Sequence, residues 1–198
     1  MEYEIVDRVL VLKGNFEALS TGVDGGRRAT KNILNIQVPH DFCHDDPKSY
    51  IEEIAASMTL EGGYVALLTA VEMKNVQILS DACATVFVTA GLTTPSTLGT
   101  INIIVISSAT LSEGAIAGTI ITATEAKTRA LIDKGLYFTG TTSDAIVVAY
   151  ENSGEGAPIL YSGPATAFGS RVAKLVRLGV KDALKAHYGS DDVDKWHL

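Results

Sequence analysis

The chain has 198 residues, of which 46% are hydrophobic and 20% charged, and 16 Lys and Arg against 23 Asp and Glu give a formal charge of -7. These values exclude a disordered or collagen-like chain and predict a single globular domain over residues 1–198. The negative charge disfavours nucleic acid or an anionic membrane as a partner, and no apolar run approaches the roughly 20 residues that a membrane helix needs.

The first half of the chain is predicted to be rich in strands. Short runs of β-branched and apolar residues are separated by glycines, and Gly14, Gly22 and Gly25-Gly26 are typical of turns. A proline at position 47 favours the start of a short helix that runs to about Met58. Several connections are too short for a crossover helix, which indicates antiparallel pairing. The predicted strands are Tyr3–Lys13, Glu17–Thr21, Ile33–Val38, Tyr64–Ala70, Asn75–Leu79, Ala84–Thr89 and Thr100–Ser107.

Two long helices follow in the second half. Ser112 as N-cap and Gly135 as C-terminal stop predict a helix over about Glu113–Lys134. After a strand at Asp144–Glu151 and a hairpin-like segment at Ile159–Tyr161, a second helix is predicted from about Ala165 to Tyr188. We therefore expect an α+β fold, with a mixed, largely antiparallel sheet packed against these two helices.

One lysine of the first long helix occupies an unusual position. At 100° per residue, Lys127 falls near the middle of the apolar face that includes Ala123 and Leu131. Its long stem can pack inward while the charge escapes past the helix end, or the amine can lie at a cavity wall, ready to donate a hydrogen bond to an anionic or carbonyl group. Glu125 points the other way and lies four residues before Arg129, which is typical of a solvated helix pair.

A loop rich in small hydroxyl residues precedes the apolar strand that begins at Ala145. Its residues Thr139–Asp144 include Thr141, Ser143 and Asp144, which can offer backbone donors, hydroxyl nucleophiles and a general base. Alternatively, the segment is an Asx or Ser/Thr turn in which Asp144 only caps the loop. The loop lacks the glycine and lysine pattern of a phosphate-binding P-loop.

The segment around His40, Cys43 and His44 superficially resembles a metal cluster. Zinc ligands come from two separated places, and the remaining histidines, His187 and His197, bring no second group with them. We therefore predict a solvated polar loop and no metal site. Two cysteines without a Cys-x-x-Cys pair, and no signal-peptide pattern at the N-terminus, favour a reducing, cytoplasmic compartment.

Several short blocks follow one another in a fixed order: Leu19–Thr21 with Gly25-Gly26, Asn35–Pro39, Leu67–Val71, Lys74–Val76, Val88–Leu92, Gly99–Ile104, Ala123–Thr128 and Asp144–Val148. In this order they resemble the adenosylcobinamide amidohydrolase (CbiZ) family over about residues 16–185. The family loop usually reads Gly-Thr-Gly-Thr-Asp-Ala, whereas Thr142 and Ser143 stand before Asp144 here, and replacing a glycine restricts the backbone.

The resemblance implies hydrolysis of the amide that joins aminopropanol to the corrin ring of adenosylcobinamide, which yields adenosylcobyric acid in corrinoid salvage. No cofactor is expected beyond the cobalt corrin of the substrate. The sequence does not decide between a monomer and a homo-oligomer. A non-catalytic corrinoid carrier is the alternative, because the loop is altered. We predict that Asp144 acts as the base and that Lys127 stabilises the oxyanion or donates the proton. Thr141 and Ser143 are predicted to supply a hydroxyl nucleophile or a pair of backbone N–H donors. The predicted substrate-binding residues are Thr21, Asn35, Thr69, Asn75, Asn102 and Glu125.

Overall fold

A computed structural model describes residues 1–92, 99–151 and 156–189. A short 3₁₀ turn at Met73–Asn75 lies in the connection between two strands. The strands are β1 (Glu2–Val6), β2 (Val9–Ser20), β3 (Gly26–Gln37), β4 (Tyr64–Thr69), β5 (Gln77–Ser80), β6 (Ala84–Leu92), β7 (Gly99–Ser107) and β8 (Ala145–Glu151). The helices are α1 (Pro47–Ser57), α2 (Glu113–Asp133) and α3 (Ala167–Tyr188).

The strands form one mixed sheet in the order β4-β3-β2-β8-β7-β6-β5, and β1 pairs with β2 beside this path. Two pairs are parallel, β3 with β4 and β7 with β8, and the others are antiparallel. The predicted α+β class with a largely antiparallel sheet is confirmed. No helix in the described part of the chain is long and apolar enough to cross a membrane.

The sheet folds over on itself near the middle of β2. Asn102 of β7 donates to the carbonyl of Leu68 in β4 at 2.8 Å, and the ring of Tyr3 in β1 lies 5.2 Å from that of Phe87 in β6, although neither pair of strands is adjacent in the sheet. The space between these strands is filled by one buried apolar cluster that includes Leu12, Phe16 and Phe87. The two halves of the sheet therefore face each other across an apolar interior. Helix α1 covers the outer face of the β2–β4 half through Ile51 and other apolar side chains, whereas α2 and α3 cover the outer face of the β6–β8 half.

The predicted turn at Gly14 is wrong, because this residue lies inside β2 at a β-bulge. The pairing with β3 shifts between Lys13 and Phe16, so that β2 carries one extra residue there. A bulge bends its strand and increases the local twist. A Cβ atom at position 14 would lie 2.6 Å from a carboxylate oxygen of Glu151 and 2.7 Å from the buried Phe16 ring, so any other residue would displace these side chains.

Other differences from the predicted elements concern their boundaries. The expected strand Tyr3–Lys13 is a hairpin, because Asp7 and Arg8 take φ values of 47° and 71° and reverse the chain. The expected hairpin at Ile159–Tyr161 is only a parallel bridge between Ile159 and Leu111. Both long helices lie within two residues of their predicted limits.

Candidate active site

The inward-facing lysine forms an ion pair beneath α2. The Lys127 side chain is only 7% exposed, and its Nζ donates to Oδ2 of Asp144, whose side chain is 11% exposed. The predicted escape of the charge to solvent is therefore wrong. The pair joins the last third of α2 to the residue immediately before β8.

The Asp144 carboxylate accepts four hydrogen bonds. Oδ1 accepts from the backbone N–H of Ile101 at 3.0 Å and from the Thr141 hydroxyl, whereas Oδ2 accepts from Lys127 Nζ and from the backbone N–H of Thr141 at 3.1 Å. A carboxylate offers about four lone-pair sites, so its accepting capacity is full. In an Asx turn the carboxylate would accept from the N–H of Ile146, two residues later, but that N–H donates to Thr21 Oγ1. Asp144 instead accepts from the N–H of Thr141, three residues earlier, and from Lys127.

The hydroxyl groups of the loop hold it against the start of β7. Ser143 Oγ donates to the carbonyl of Gly99 at 2.8 Å and accepts from Thr100 Oγ1 at 2.6 Å. Thr141 Oγ1 lies 2.8 Å from the same carbonyl, so its one proton is shared between that oxygen and Asp144. In the described part of the chain, no histidine or carboxylate is hydrogen-bonded to the Ser143 hydroxyl to take its proton.

Gly140 lies directly over the ion pair. A Cβ atom built on it would overlap both Lys127 Nζ and Asp144 Oδ2. Only a residue without a side chain therefore leaves the pair undisturbed. Sequence reasoning found the loop but not this requirement, although a glycine directly before Thr141 and four residues before Asp144 was a visible signal.

A second polar group lies on the opposite face of β7, between the two halves of the sheet. Asn102 Nδ2 donates to Asn35 Oδ1 and to the carbonyl of Leu68, both at 2.8 Å, and Asn35 Nδ2 donates to Thr89 Oγ1 at 3.0 Å. These three polar side chains are at most 2% exposed. The Oδ1 atom of Asn102 is buried and has no hydrogen-bond partner among the residues that the structure describes. Thr89 was missed by the sequence analysis as a site residue, although it is a polar residue in an apolar strand.

Thr21 and Thr69 lie at strand ends close to this interior group. Thr21 Oγ1 accepts from the backbone N–H of Ile146 at 2.9 Å, two residues after Asp144. Thr69 follows Leu68, and its Oγ1 accepts from the N–H of Val71 at 3.1 Å. The structure thus brings eight of the ten predicted site residues to one end of the folded sheet: Thr21, Asn35, Thr69, Asn102, Lys127, Thr141, Ser143 and Asp144.

Glu125 and Asn75 are not brought to this group. Glu125 lies on the outer face of α2, and Arg129 pairs with Asp133 at 3.0 Å rather than with Glu125. Asn75 lies in the 3₁₀ turn, where its N–H donates to the carbonyl of Glu72. Among the described residues, no hydrogen bond links either side chain to the Lys127–Asp144 pair.

The loop with His40 and His44 behaves as a polar surface segment. Asp46 caps α1 by accepting from the N–H groups of Lys48 and Ser49, and the hydroxyl of Ser49 holds the pKa of Asp46 below its usual value. Within the described ranges, no group of three His, Cys, Asp or Glu side chains could hold a metal ion. His197 lies outside the described residues.

Two histidines meet where β6 and α3 end. The rings of His40 and His187 lie 6.4 Å apart, and burial lowers the pKa of His187, with a further lowering from the charge of His40. The nearby Glu72 carboxylate opposes this lowering of the His187 pKa but is the weakest of the three effects.

Comparison with known proteins gives the same family for nearly the whole chain. A family model described as adenosylcobinamide amidohydrolase matches residues 7–192. A relative from Methanosarcina mazei with that name is 44% identical over 93% of this chain and 98% of its own length. A second, from Halobacterium salinarum, is 32% identical over 84% of this chain and 79% of its own length. The solved structure of the PH0078 protein from Pyrococcus horikoshii superposes on 94% of this chain and over 78% of its own length. With 11% sequence identity and a TM-score of 0.43, this structural similarity supports no conclusion. On the family match and the two named relatives, the chain belongs to the adenosylcobinamide amidohydrolase family.

Proposed function

We propose that this enzyme hydrolyses the amide between aminopropanol and the corrin ring of adenosylcobinamide. Water adds to the amide carbonyl, the C–N bond breaks, and the products are adenosylcobyric acid and free aminopropanol. The observation that carries this function is the 44% identity with a relative of that name over nearly the full length of both chains. The reaction needs a donor for the developing oxyanion and a proton for the leaving amine.

Lys127 supplies that donor. An ammonium group has three N–H bonds, and Asp144 accepts one of them. In the described part of the chain the other two have no hydrogen-bond partner. A buried ammonium next to a glycine backbone can contact a carbonyl oxygen in a site with little water, where such a donor is most effective. The same group can later protonate the leaving nitrogen and regain a proton from the water that has added to the carbonyl, so that the proton transfers balance.

Asp144 acts as a positioning residue in this arrangement. The sequence predicted a general base, but three N–H groups donate to the carboxylate, and the Thr141 hydroxyl shares its one proton between the carboxylate and the Gly99 carbonyl. A base role would require one of these donors to turn away from the carboxylate. Ser143 and Thr141 have no adjacent base and bind the carbonyl of Gly99, so an attacking water fits the geometry better than a hydroxyl nucleophile.

The substrate-binding role falls to polar groups at the same end of the sheet. Thr21, Asn35, Thr69 and Asn102 lie there, whereas Asn75 and Glu125 would need a substrate large enough to extend beyond it. A corrinoid is large and carries a positive charge, which suits a chain of net charge -7. The proposal includes no resident cofactor, a corrinoid as small-molecule partner, and a cytoplasmic location.

The competing function is a corrinoid carrier without turnover. Thr142 and Ser143 replace the usual family sequence before Asp144, and the saturated carboxylate would suit a site that only binds. Purified protein incubated with adenosylcobinamide, followed by chromatography of the corrinoid and derivatised amine, separates the two. Equal release of adenosylcobyric acid and aminopropanol supports the enzyme, whereas tight binding without either product supports the carrier.

Replacing Lys127 by Met tests its role. The variant keeps a long apolar stem and removes the donor, so kcat should fall at least about 100-fold, with a smaller change in KM. Lys185→Met, on the exposed side of α3, is the matched control and should keep normal turnover. A folded Lys127→Met protein with near-normal kcat would contradict the assigned role.

A further inference from the structure

A groove with a volume of about 620 Å³ runs between the outer faces of α2 and α3. It opens where the facing side chains are short, at Ala126 of α2 and at Ser170 and Ala173 of α3. The Thr122 hydroxyl, at its wall, is satisfied by the carbonyl of Ser162 at 2.7 Å. The volume lies within the range of roughly 300–1,000 Å³ that is typical of small-molecule sites. Lys127 and Asp144 do not line it, so the groove is separate from the candidate active site.

The walls of this groove concentrate positive charge in an acidic protein. Glu125 is the one carboxylate among its lining residues, in a chain of net charge -7. Against it stand four cations, Arg129, Lys174, Arg177 and Lys181. Such a local excess of one sign attracts ligands of the opposite sign.

The four cations are arranged to receive an anion. Asp133 accepts from Nε of both arginines, at 3.0 Å from Arg129 and 2.5 Å from Arg177, which fixes the two guanidinium groups and leaves their terminal nitrogens for other partners. Lys174 and Lys181 have no ion-pair partner among the described residues. Leu178, which is 41% exposed, and Pro164 add apolar surface beside these charges.

We propose that this groove binds a phosphorylated small molecule of mononucleotide size. Glu125 and Asp133 offset two of the four cations, which leaves about two positive charges. A single carboxylate ligand would neutralise one of them, whereas a phosphate ester carries up to two charges and several acceptor oxygens for Arg and Lys. The apolar wall suits the organic part of the ligand. The cationic corrinoid of the proposed reaction is repelled here, so the groove and the amide-cleaving site take ligands of opposite charge.

Calorimetric titration of the full-length protein with AMP, ATP and inorganic phosphate tests this site, with adenosine as the uncharged comparison. We expect saturable binding of AMP or ATP with a Kd below about 1 mM at an ionic strength of about 0.15 M. Lys174→Glu and Lys181→Glu should each weaken it at least about tenfold, because each reverses a charge beside the ligand. Lys185→Glu, on the same helix but outside the groove, should change the Kd less than about threefold.

Three results would overturn the proposal. The first is no saturable binding of any of the three phosphates, and the second is equal weakening by the Lys185 variant, which would indicate only the general charge of α3. The third is a dimer of the wild type, detected by light scattering, that Lys174→Glu converts to a monomer, since the groove would then be an interface between copies. Hydrolysis of adenosylcobinamide, measured on the same variants, should stay normal, so failure here leaves the proposed function unaffected.

Discussion

The Asp144→Asn substitution should destabilise the protein far more than its small change in shape suggests. Each carboxylate oxygen accepts two hydrogen bonds, so the amide nitrogen faces donors wherever it is placed. On the Oδ2 side it meets Lys127 Nζ and the N–H of Thr141, so both of these hydrogen bonds are lost. On the Oδ1 side it can donate to the Thr141 hydroxyl, which then donates to the Gly99 carbonyl, but it meets the N–H of Ile101 and leaves Lys127 facing a neutral oxygen. In either placement, two hydrogen bonds to a charged acceptor are lost or lose the charge of that acceptor.

The expected loss follows from those two bonds. Hydrogen bonds to charged groups contribute about 1.5–3 kcal/mol each, which sets a range of about 3–6 kcal/mol. Because the Asp144 side chain is 11% exposed, water reaches part of it, and we expect a value near the lower limit, about 3 kcal/mol. For a domain of this size that lowers Tm by roughly 6–12 °C.

Asp133→Asn is the matched control, because Asp133 also joins helical cations through both oxygens. Its partners Arg129 and Arg177 are 65% and 45% exposed, so this change should cost at most about 1 kcal/mol. Urea unfolding followed by circular dichroism at pH 7 measures both. If Asp144→Asn costs no more than Asp133→Asn, the four-bond description of the buried carboxylate is refuted.

Two further predictions concern the loop and the histidine pair. Gly140→Ala should displace Lys127 and lower the free energy of unfolding by about 1–3 kcal/mol through overpacking. Gly114→Ala, with open space around the new methyl group, should be neutral or stabilising. Thermal unfolding of both variants measures the difference, and equal Tm values would show that the loop accommodates the methyl group without cost. Because burial and the charge of His40 lower the pKa of His187 from 6.5, the unfolded chain binds more protons below that pH, and stability should fall as the pH drops through 6.5. Urea titrations between pH 5 and 7 measure the free energy of unfolding at each pH, and its dependence on pH should be weaker in His187→Gln. An unchanged dependence on pH would mean that other groups cause it.

The ion pair could be predicted in part from the sequence, because helical periodicity alone turns Lys127 toward the sheet. Its meeting with Asp144 follows from topology. The strands β7 and β8 are parallel, so α2 must run back between them, and the end of α2 then lies beside the start of β8. The parallel pairing could not be predicted, because the sequences of short apolar strands do not indicate whether two strands pair in parallel or antiparallel.

The interior amide group could not be predicted in the same way. Asn35, Thr89 and Asn102 meet because β2 bends at its bulge and brings the two halves of the sheet face to face. In the sequence the bulge looks like a turn, because Gly14 favours both and only the pairing partner decides. The same limit applies to the groove, where the spacing of Lys174, Arg177 and Lys181 places them on one face of α3 but gives no position relative to α2.

A structural role and a catalytic role for the ion pair make different predictions when both partners change. Breaking a buried pair from one side leaves an unpaired charge, whereas removing both charges is often nearly neutral for stability. In Lys127→Met/Asp144→Asn the amide keeps its oxygen toward Ile101 and no longer faces an ammonium group, so the double variant should regain part of the stability that Asp144→Asn loses. If the pair only joins α2 to β8, turnover should return with the fold. If Lys127 contacts the developing oxyanion, the double variant should fold and bind adenosylcobinamide while kcat stays at least about 100-fold below the wild-type value.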